Sequence, residues 1–73
     1  MRKVYRLKDL DCANCAAKME RAIQKINGIT FAEVNFMAQK LTIETEEDSL
    51  VEVMEKVKVC VAKVEPDCII LGA

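Results

Sequence analysis

The stretch Ile29–Thr45, with the sequence ITFAEVNFMAQKLTIET, contains two segments with alternating polarity and a short connection between them. Ile29–Phe36 and Leu41–Thr45 each show the approximate period of two that is typical of a strand with one buried face. Only Met37–Lys40 separates the two segments. We therefore predict an antiparallel β-hairpin, although the strong Asn-Gly turn signal is missing.

Helical periodicity occurs on both sides of this hairpin. Before it, apolar residues recur three or four positions apart through Ala16–Ile26, and Asn27-Gly28 supplies a C-terminal stop. After it, an apolar stripe runs along Leu50–Val64, and Pro66 ends the helix. The Ser49/Glu52 pair has the spacing of a capping box at the start of this second helix.

Two short apolar segments complete the pattern near the ends of the chain. Lys3–Leu7 (KVYRL) and Cys68–Leu71 (CIIL) have the composition of strands. The order is then β-α-β-β-α-β, which predicts one α+β domain over residues 1–73 with a ferredoxin-like fold. In that fold two helices cover one face of a four-stranded antiparallel sheet.

This topology predicts which loops share an end of the sheet. Following the chain up and down through its elements places loop 9–15, hairpin 37–40 and turn 65–67 together. The acidic loop at 46–48 falls at the opposite end. Any site built from the first loop is therefore expected to include the hairpin and the last turn, and to exclude the acidic loop.

Composition excludes several classes of function. The chain has 73 residues, with 11 Lys and Arg against 12 Asp and Glu and a net charge of −1. This balance gives no basic footprint for nucleic acid, and no apolar run approaches the ~20 residues that span a bilayer. Because there is no His, hydrolysis by acid–base catalysis has no obvious base. We expect a cytoplasmic monomer with no leader and no membrane contact through this segment.

Cys12-Ala13-Asn14-Cys15 is the chemically distinctive motif among the four cysteines of the chain. Two thiolates at this spacing can bind one metal ion. The motif lies where a loop meets a helix, and a helix N-terminus favours the thiolate form. Without a leader, a reducing compartment and free thiols are expected rather than disulfides.

Asp11 adds a carboxylate beside this motif. Two thiolates, one carboxylate and a divalent ion carry a net charge of −1. Two thiolates with a monovalent ion reach the same charge without Asp11. Since a hard oxygen suits Zn²⁺ better than Cu⁺, Asp11, Cys12 and Cys15 are predicted to bind a divalent ion. Asp11 could instead be the N-cap of the first helix, a role that Asn14 could also fill.

The sequence Asp11–Ala16 (DCANCA), with the helix after it and the Asn35-Phe36 hairpin, resembles the heavy-metal-associated domain over essentially the whole chain. The aspartate form of the motif resembles that of P-type ATPases that transport zinc, cadmium or lead, and Val64–Asp67 (VEPD) resembles theirs also. Copper members usually have Met where Leu10 stands. The resemblance implies a non-enzymatic N-terminal module that binds Zn²⁺, Cd²⁺ or Pb²⁺ and exchanges the ion with other ATPase domains or a metallochaperone.

Two positions depart from the family pattern. The family usually has Gly where Asp9 stands, and often a small residue where Met37 stands. Neither change removes a ligand, but both affect the expected geometry of the loops. Met37 is expected to shield the site or simply to lie on the surface.

Further residues have two interpretations each. Glu65 and Asp67 lie at the predicted site end and could complete a tetrahedral shell, or they could be solvated. Cys60 and Cys68 could be further ligands, with Cys68 nearer the site end, but both are expected in the core, as is usual for free cysteine. The basic face of the first helix, formed by Lys18, Arg21 and Lys25, could be solvated or could bind an acidic partner domain.

Two alternatives to the ATPase module remain from the sequence alone. The first is a stand-alone metallochaperone, for which Cu⁺ is a candidate ion. The second is a small redox protein in which the Cys12/Cys15 pair forms a reversible disulfide, as the spacing permits. An aromatic residue before the first cysteine, common in thioredoxin-like dithiols, is missing here.

Overall fold

The predicted order of elements is confirmed in a computed structural model, which describes residues 2–46 and 50–72. The elements are β1 (Arg2–Lys8), α1 (Ala13–Gln24), β2 (Ile29–Asn35), β3 (Lys40–Thr45), α2 (Leu50–Val64) and β4 (Ile69–Leu71). The predicted capping box at Ser49, and the acidic loop after Glu46, lie outside the described residues.

The four strands form one antiparallel sheet in the order β2-β3-β1-β4. The predicted hairpin is the β2–β3 pair, and β3 also pairs with β1, so Ile43 lies opposite both Lys3 and Ala32. This arrangement confirms the ferredoxin-like α+β fold. The first and last strands lie side by side, which brings the segments after β1 and before β4 to the same end.

Both helices pack on one face of the sheet, as predicted. Leu41 and Ile43 of β3 are fully buried there, while Thr42 between them and Glu44 after them are only partly covered. On the helices, Met19 and Ile23 of α1 are also fully buried. The predicted apolar stripe of α2 supplies the remaining core, with these residues buried: Val53, Met54, Val57 and Val61. Burial of apolar surface on this single face is the main stabilising contribution to the fold.

The structure corrects the predicted limits of α1. The helix begins at Ala13, three residues before the predicted Ala16, so Cys15 belongs to its first turn and not to the loop. It ends at Gln24, before Asn27-Gly28, because the backbone tightens there: Ile26 N–H donates to Ile23 O at 3.0 Å. Gly28 adopts the predicted positive φ of 98° in the turn that follows.

Side chains of α1 cover the outer edge of β2. The Val34 N–H donates to Glu20 Oε1 at 2.9 Å, and Gln24 Nε2 donates to Ala32 O at 3.1 Å. An unpaired strand edge is a template for pairing with other chains. These two hydrogen bonds satisfy part of the β2 edge and join the helix to the hairpin.

Candidate metal centre

The loop between β1 and α1 is held in place by a residue of the β2–β3 turn. The Leu10 N–H donates to Gln39 Oε1 at 3.3 Å, and Gln39 Nε2 donates to Leu10 O at 2.8 Å and to Phe36 O at 2.9 Å. The Leu10 side chain is buried in the core. The predicted proximity of the first loop and the hairpin is thereby confirmed. This role of Gln39 has no signal in the sequence, because a polar residue in a turn gives no indication of a distant partner.

Cys12 is the N-cap residue of α1. Its backbone is extended, with φ of −133° and ψ of 124°, and Ala16 N–H donates to its carbonyl oxygen at 3.0 Å. The N-terminus of α1 has no side-chain cap hydrogen bond, so capping by Asp11 or Asn14, the alternative that the sequence left open, is not observed. Asp11 is exposed beside Cys12. The free amide groups of the first turn are therefore left for the cysteine sulfur.

The Cys15 thiol donates a hydrogen bond to the Cys12 sulfur. The pKa of Cys12 is lowered, first by the Cys15 backbone N–H, then by the Cys15 thiol, the Asn14 N–H and the Lys18 charge. The pKa of Cys15 is raised because its thiol donates to Cys12, and because of partial burial and the negative charges of Cys12 and Glu65. Cys12 is therefore the cysteine of the pair that loses its proton more readily, and an ion that binds both sulfurs as thiolates must displace the Cys15 proton.

Alkylation by iodoacetamide, followed for each cysteine by mass spectrometry across a pH series, tests this assignment. The thiolate is the reactive form, so Cys12 is expected to react with a midpoint below the ordinary cysteine pKa and Cys15 with one above it. In Cys12→Ala the Cys15 midpoint should fall, because the acceptor sulfur is gone. In Cys15→Ala the Cys12 midpoint should rise. Reaction of Cys15 at lower pH than Cys12 would contradict the assignment.

The other candidate ligands occupy different positions around this pair. Glu65 is half-buried, and its charge acts on both Cys15 and Cys68, whereas Asp67 is exposed. Cys68 is buried, and its pKa is raised first by burial and then by the charges of Glu65, Asp9 and Asp11. Cys60 is half-buried at the margin of the core.

The structure thus brings Cys12 and Cys15 together but gathers no larger ligand set. Within residues 2–46 and 50–72, no three Cys, His, Asp or Glu side chains form a group able to hold a metal ion. Asp11, Glu65 and Asp67 lie in loops at the same end of the sheet as the sulfur pair. Their roles as ligands stay predictions.

The sequence matches the heavy-metal-associated domain over residues 4–63. The chain belongs to this family. The match covers β1 through nearly all of α2, including the whole Cys12–Cys15 motif. Members of the family are metal-binding modules, and both cysteines of the motif lie inside the matched range.

Several known proteins are similar to this heavy-metal-associated domain. A cadmium-transporting ATPase of Staphylococcus aureus is 45% identical over 53 residues, which are 73% of this chain and 7% of that protein. The N-terminal domain of ZntA in its apo form is 25% identical, with a TM-score of 0.73 over 99% of this chain and 93% of that one. The CopZ metallochaperone has the same fold, with a TM-score of 0.74 at 20% identity over 97% of this chain and 100% of that one.

The curated relatives are much longer than this chain. The chain spans less than a tenth of the length of the curated relatives it matches. Among the described residues, no helix is both long and apolar enough to cross a membrane.

Asp9 stands at the position where the family usually has glycine. It adopts a φ of 64°, the left-handed conformation that glycine favours, so the loop keeps this backbone geometry with an aspartate. Met37, the second departure, is 89% exposed and is a surface residue. On the basic face of α1, the charge of Lys18 adds to the lowering of the Cys12 pKa and offsets part of the rise in the Cys15 pKa.

Substitutions at Asp9 and Gln39, two non-glycine residues with positive φ, are expected to have opposite effects on stability. Asp9→Gly relieves left-handed strain and should raise the free energy of unfolding by about 0.5 kcal/mol after the entropy cost of glycine. Gln39, with a φ of 54°, gains the same relief on Gln39→Gly but loses its side-chain hydrogen bonds. We expect a net loss of about 1 kcal/mol. Urea unfolding measures both, and a change of the same sign in both variants would contradict this account.

Proposed function

We propose that this domain binds a divalent soft or borderline ion through Asp11, Cys12 and Cys15. The candidates are Zn²⁺, Cd²⁺ and Pb²⁺. The observation that carries the proposal is the pair of half-buried sulfurs at the N-terminus of α1, one of which is already favoured as thiolate by backbone amides. A divalent ion that binds both sulfurs displaces the thiol protons, so that both cysteines bind as thiolates.

Asp11 supplies the oxygen that selects for a divalent ion. It is exposed and immediately precedes Cys12, and the structure does not use it as a helix cap. Its carboxylate is therefore available to the ion. An oxygen ligand with two thiolates favours Zn²⁺ and Cd²⁺ over Cu⁺, which prefers sulfur alone.

Glu65 is a better candidate than Asp67 for a fourth ligand. The Glu65 carboxylate is half-buried and acts electrostatically on Cys15, whereas Asp67 is exposed and exerts no such influence on either site cysteine. A Zn²⁺ or Cd²⁺ ion would have two sulfur and two oxygen ligands when both Asp11 and Glu65 bind. Such a site leaves room for an incoming ligand from a partner.

We place this domain at the N-terminus of a heavy-metal-transporting P-type ATPase, where it regulates or supplies the transport site. The similarity to ATPases named for cadmium, and the small share of their length that the chain covers, support this placement. Residues 1–73 would form one cytoplasmic, monomeric domain without catalytic activity of its own. The ion would pass to other ATPase domains, or arrive from a metallochaperone, by stepwise exchange of thiolate and carboxylate ligands.

X-ray absorption spectroscopy of the Cd²⁺-loaded domain tests the ligand set. We expect two sulfur ligands, with the remainder of the shell oxygen, and a loss of oxygen ligands in Asp11→Asn. Asp67→Asn is the matched control and should leave the spectrum unchanged. A shell of three or four sulfurs, through Cys60, Cys68 or a second molecule, would contradict the proposal.

Two other functions make different predictions for the same protein. A stand-alone chaperone for Cu⁺ would bind that ion with affinity independent of Asp11. A redox protein is favoured by the lowered pKa of Cys12 beside a second thiol, since such a pair is common in dithiol oxidoreductases. It would show catalytic disulfide reduction, whereas a metal module would lose metal binding on oxidation and show no turnover.

A further inference from the structure

The face of the sheet that is turned away from the helices carries a distinct surface at the metal-site end. On this face Arg2 lies over the Phe31 ring at 5.3 Å and pairs with Glu44, which establishes which residues of each strand share it. Alternation along β1 and β4 then places cationic and aliphatic residues together. We call this surface the basic patch: Val4, Arg6, Lys8, Lys40, Ile69 and Leu71.

Strand register brings the cations of the basic patch into direct proximity. Arg6 lies opposite Lys40 on one side and opposite Leu71 on the other, and Lys8 lies opposite Ile69. Like charges directly opposite each other in a sheet are destabilising. Within the described part of the chain, the one ion pair is Arg2–Glu44, so these three cations have no acidic partner.

The aliphatic residues of the basic patch are unusually exposed for strand positions. Val4 is 57% exposed, Ile69 is 50% and Leu71 is 44%. They lie between the cations, because Arg6 pairs with Leu71 and Lys8 with Ile69. An apolar area surrounded by charge of one sign is typical of a protein interaction surface.

The distribution of acids on this face gives the patch its polarity. Glu44 is engaged by Arg2 at 3.0 Å, and Glu33 lies on β2 opposite Thr42. Both acids are therefore nearer the other end of the face or on the far edge strand. Lys8 directly precedes the metal-site loop, and Lys40 follows Gln39, which holds that loop. The basic patch is thus continuous with the proposed metal centre.

We propose that the basic patch is a docking surface for a protein partner that presents carboxylates around aliphatic side chains. Carboxylates of the partner would relieve the repulsion between Arg6 and Lys40, and its aliphatic side chains would cover Val4, Ile69 and Leu71. A second copy of this chain does not fit, because patch-to-patch contact would oppose cations with cations. The proposal does not depend on which metal ion the domain binds.

Titration of the ¹⁵N-labelled domain with a synthetic peptide, in which glutamate alternates with valine and isoleucine, tests the proposal by NMR. We expect shift changes confined to the basic patch, and loss of these changes at high salt. Arg6→Glu should weaken peptide binding by about tenfold, because an attractive contact becomes repulsive. Arg21→Glu on α1 is the matched control and should bind as wild type. The same peptide with lysine for glutamate should not bind.

Lys40→Glu separates a binding role from a structural one. It places opposite charges across β1 and β3, so we expect a higher melting temperature together with weaker peptide binding. A merely structural role would not give opposite signs. The proposal is overturned if the shift changes map to α1 or if Arg6→Glu binds the peptide as wild type does. It is also overturned if Lys40→Glu lowers both the melting temperature and the affinity for the peptide. Binding to phosphatidylglycerol vesicles without binding to the peptide, or self-association through the patch, would also overturn it.

Discussion

Replacing Cys12 by serine is expected to lower the affinity for Cd²⁺ by more than about a hundredfold while the fold is retained. Outer-shell residues of metal sites already contribute about 10- to 100-fold, and Cys12 is proposed as a direct ligand. It is also the sulfur that is already favoured as thiolate by the amides of Asn14 and Cys15. Serine keeps the backbone geometry of the N-cap but offers no thiolate. Isothermal titration with a competing chelator measures the change.

Cys60→Ser is the control for this experiment. Cys60 is half-buried at the core margin on α2 and is not among the proposed ligands. Its replacement should change the affinity for Cd²⁺ little, although it removes the same atom type from the same chain. Equal losses in Cys12→Ser and Cys60→Ser would mean that the effect comes from folding and not from the site.

Truncation of the central core residue Ile43 is expected to cost about 2–5 kcal/mol of unfolding free energy. Ile43 is fully buried in β3 and lies between β1 and β2, so alanine leaves a cavity where both strand pairs meet the helices. Ile43→Val should cost only about 0.5–1.5 kcal/mol. Urea unfolding with a constant m-value measures the series.

Val4→Ala provides the comparison on the opposite face of the sheet. Val4 is 57% exposed, so its truncation should cost less than about 1 kcal/mol. Cd²⁺ at 100 times its dissociation constant should add up to about 2.7 kcal/mol to the unfolding free energy of Ile43→Ala, less whatever the ion gains by binding the cysteines of the unfolded chain. Cys12→Ser should gain much less at the same concentration. An Ile43→Ala loss no larger than that of Val4→Ala would contradict the assigned core.

The elements predicted correctly are those with a strong period in the sequence. The alternation around Ile43 and the three-to-four spacing around Met19 reflect burial of one face, and burial is what the fold provides at those positions. The order of elements then limits the possible topologies. It was therefore sufficient to predict, without any side-chain detail, that the first loop and the hairpin lie at the same end of the sheet.

The details of the site depend on interactions that leave no local pattern. The start of α1 was predicted too late because Cys12 caps the helix without any side-chain hydrogen bond, so the usual Ser, Thr, Asp or Asn signal is missing. The hydrogen bonds of Gln39 to Leu10 join residues 29 positions apart. The left-handed backbone of Asp9 likewise has no signal in the sequence, because aspartate adopts that conformation only in some loops.

We propose that the selection of a divalent ion depends on Asp11 together with the two thiolates. Competition titrations of wild type and Asp11→Asn with Cd²⁺ and with Cu⁺ test it most directly, because asparagine keeps the size of the side chain and removes its charge. We predict an affinity for Cd²⁺ at least about tenfold weaker in Asp11→Asn, with the affinity for Cu⁺ unchanged. Equal losses for both ions, or no loss for Cd²⁺, would contradict the claim.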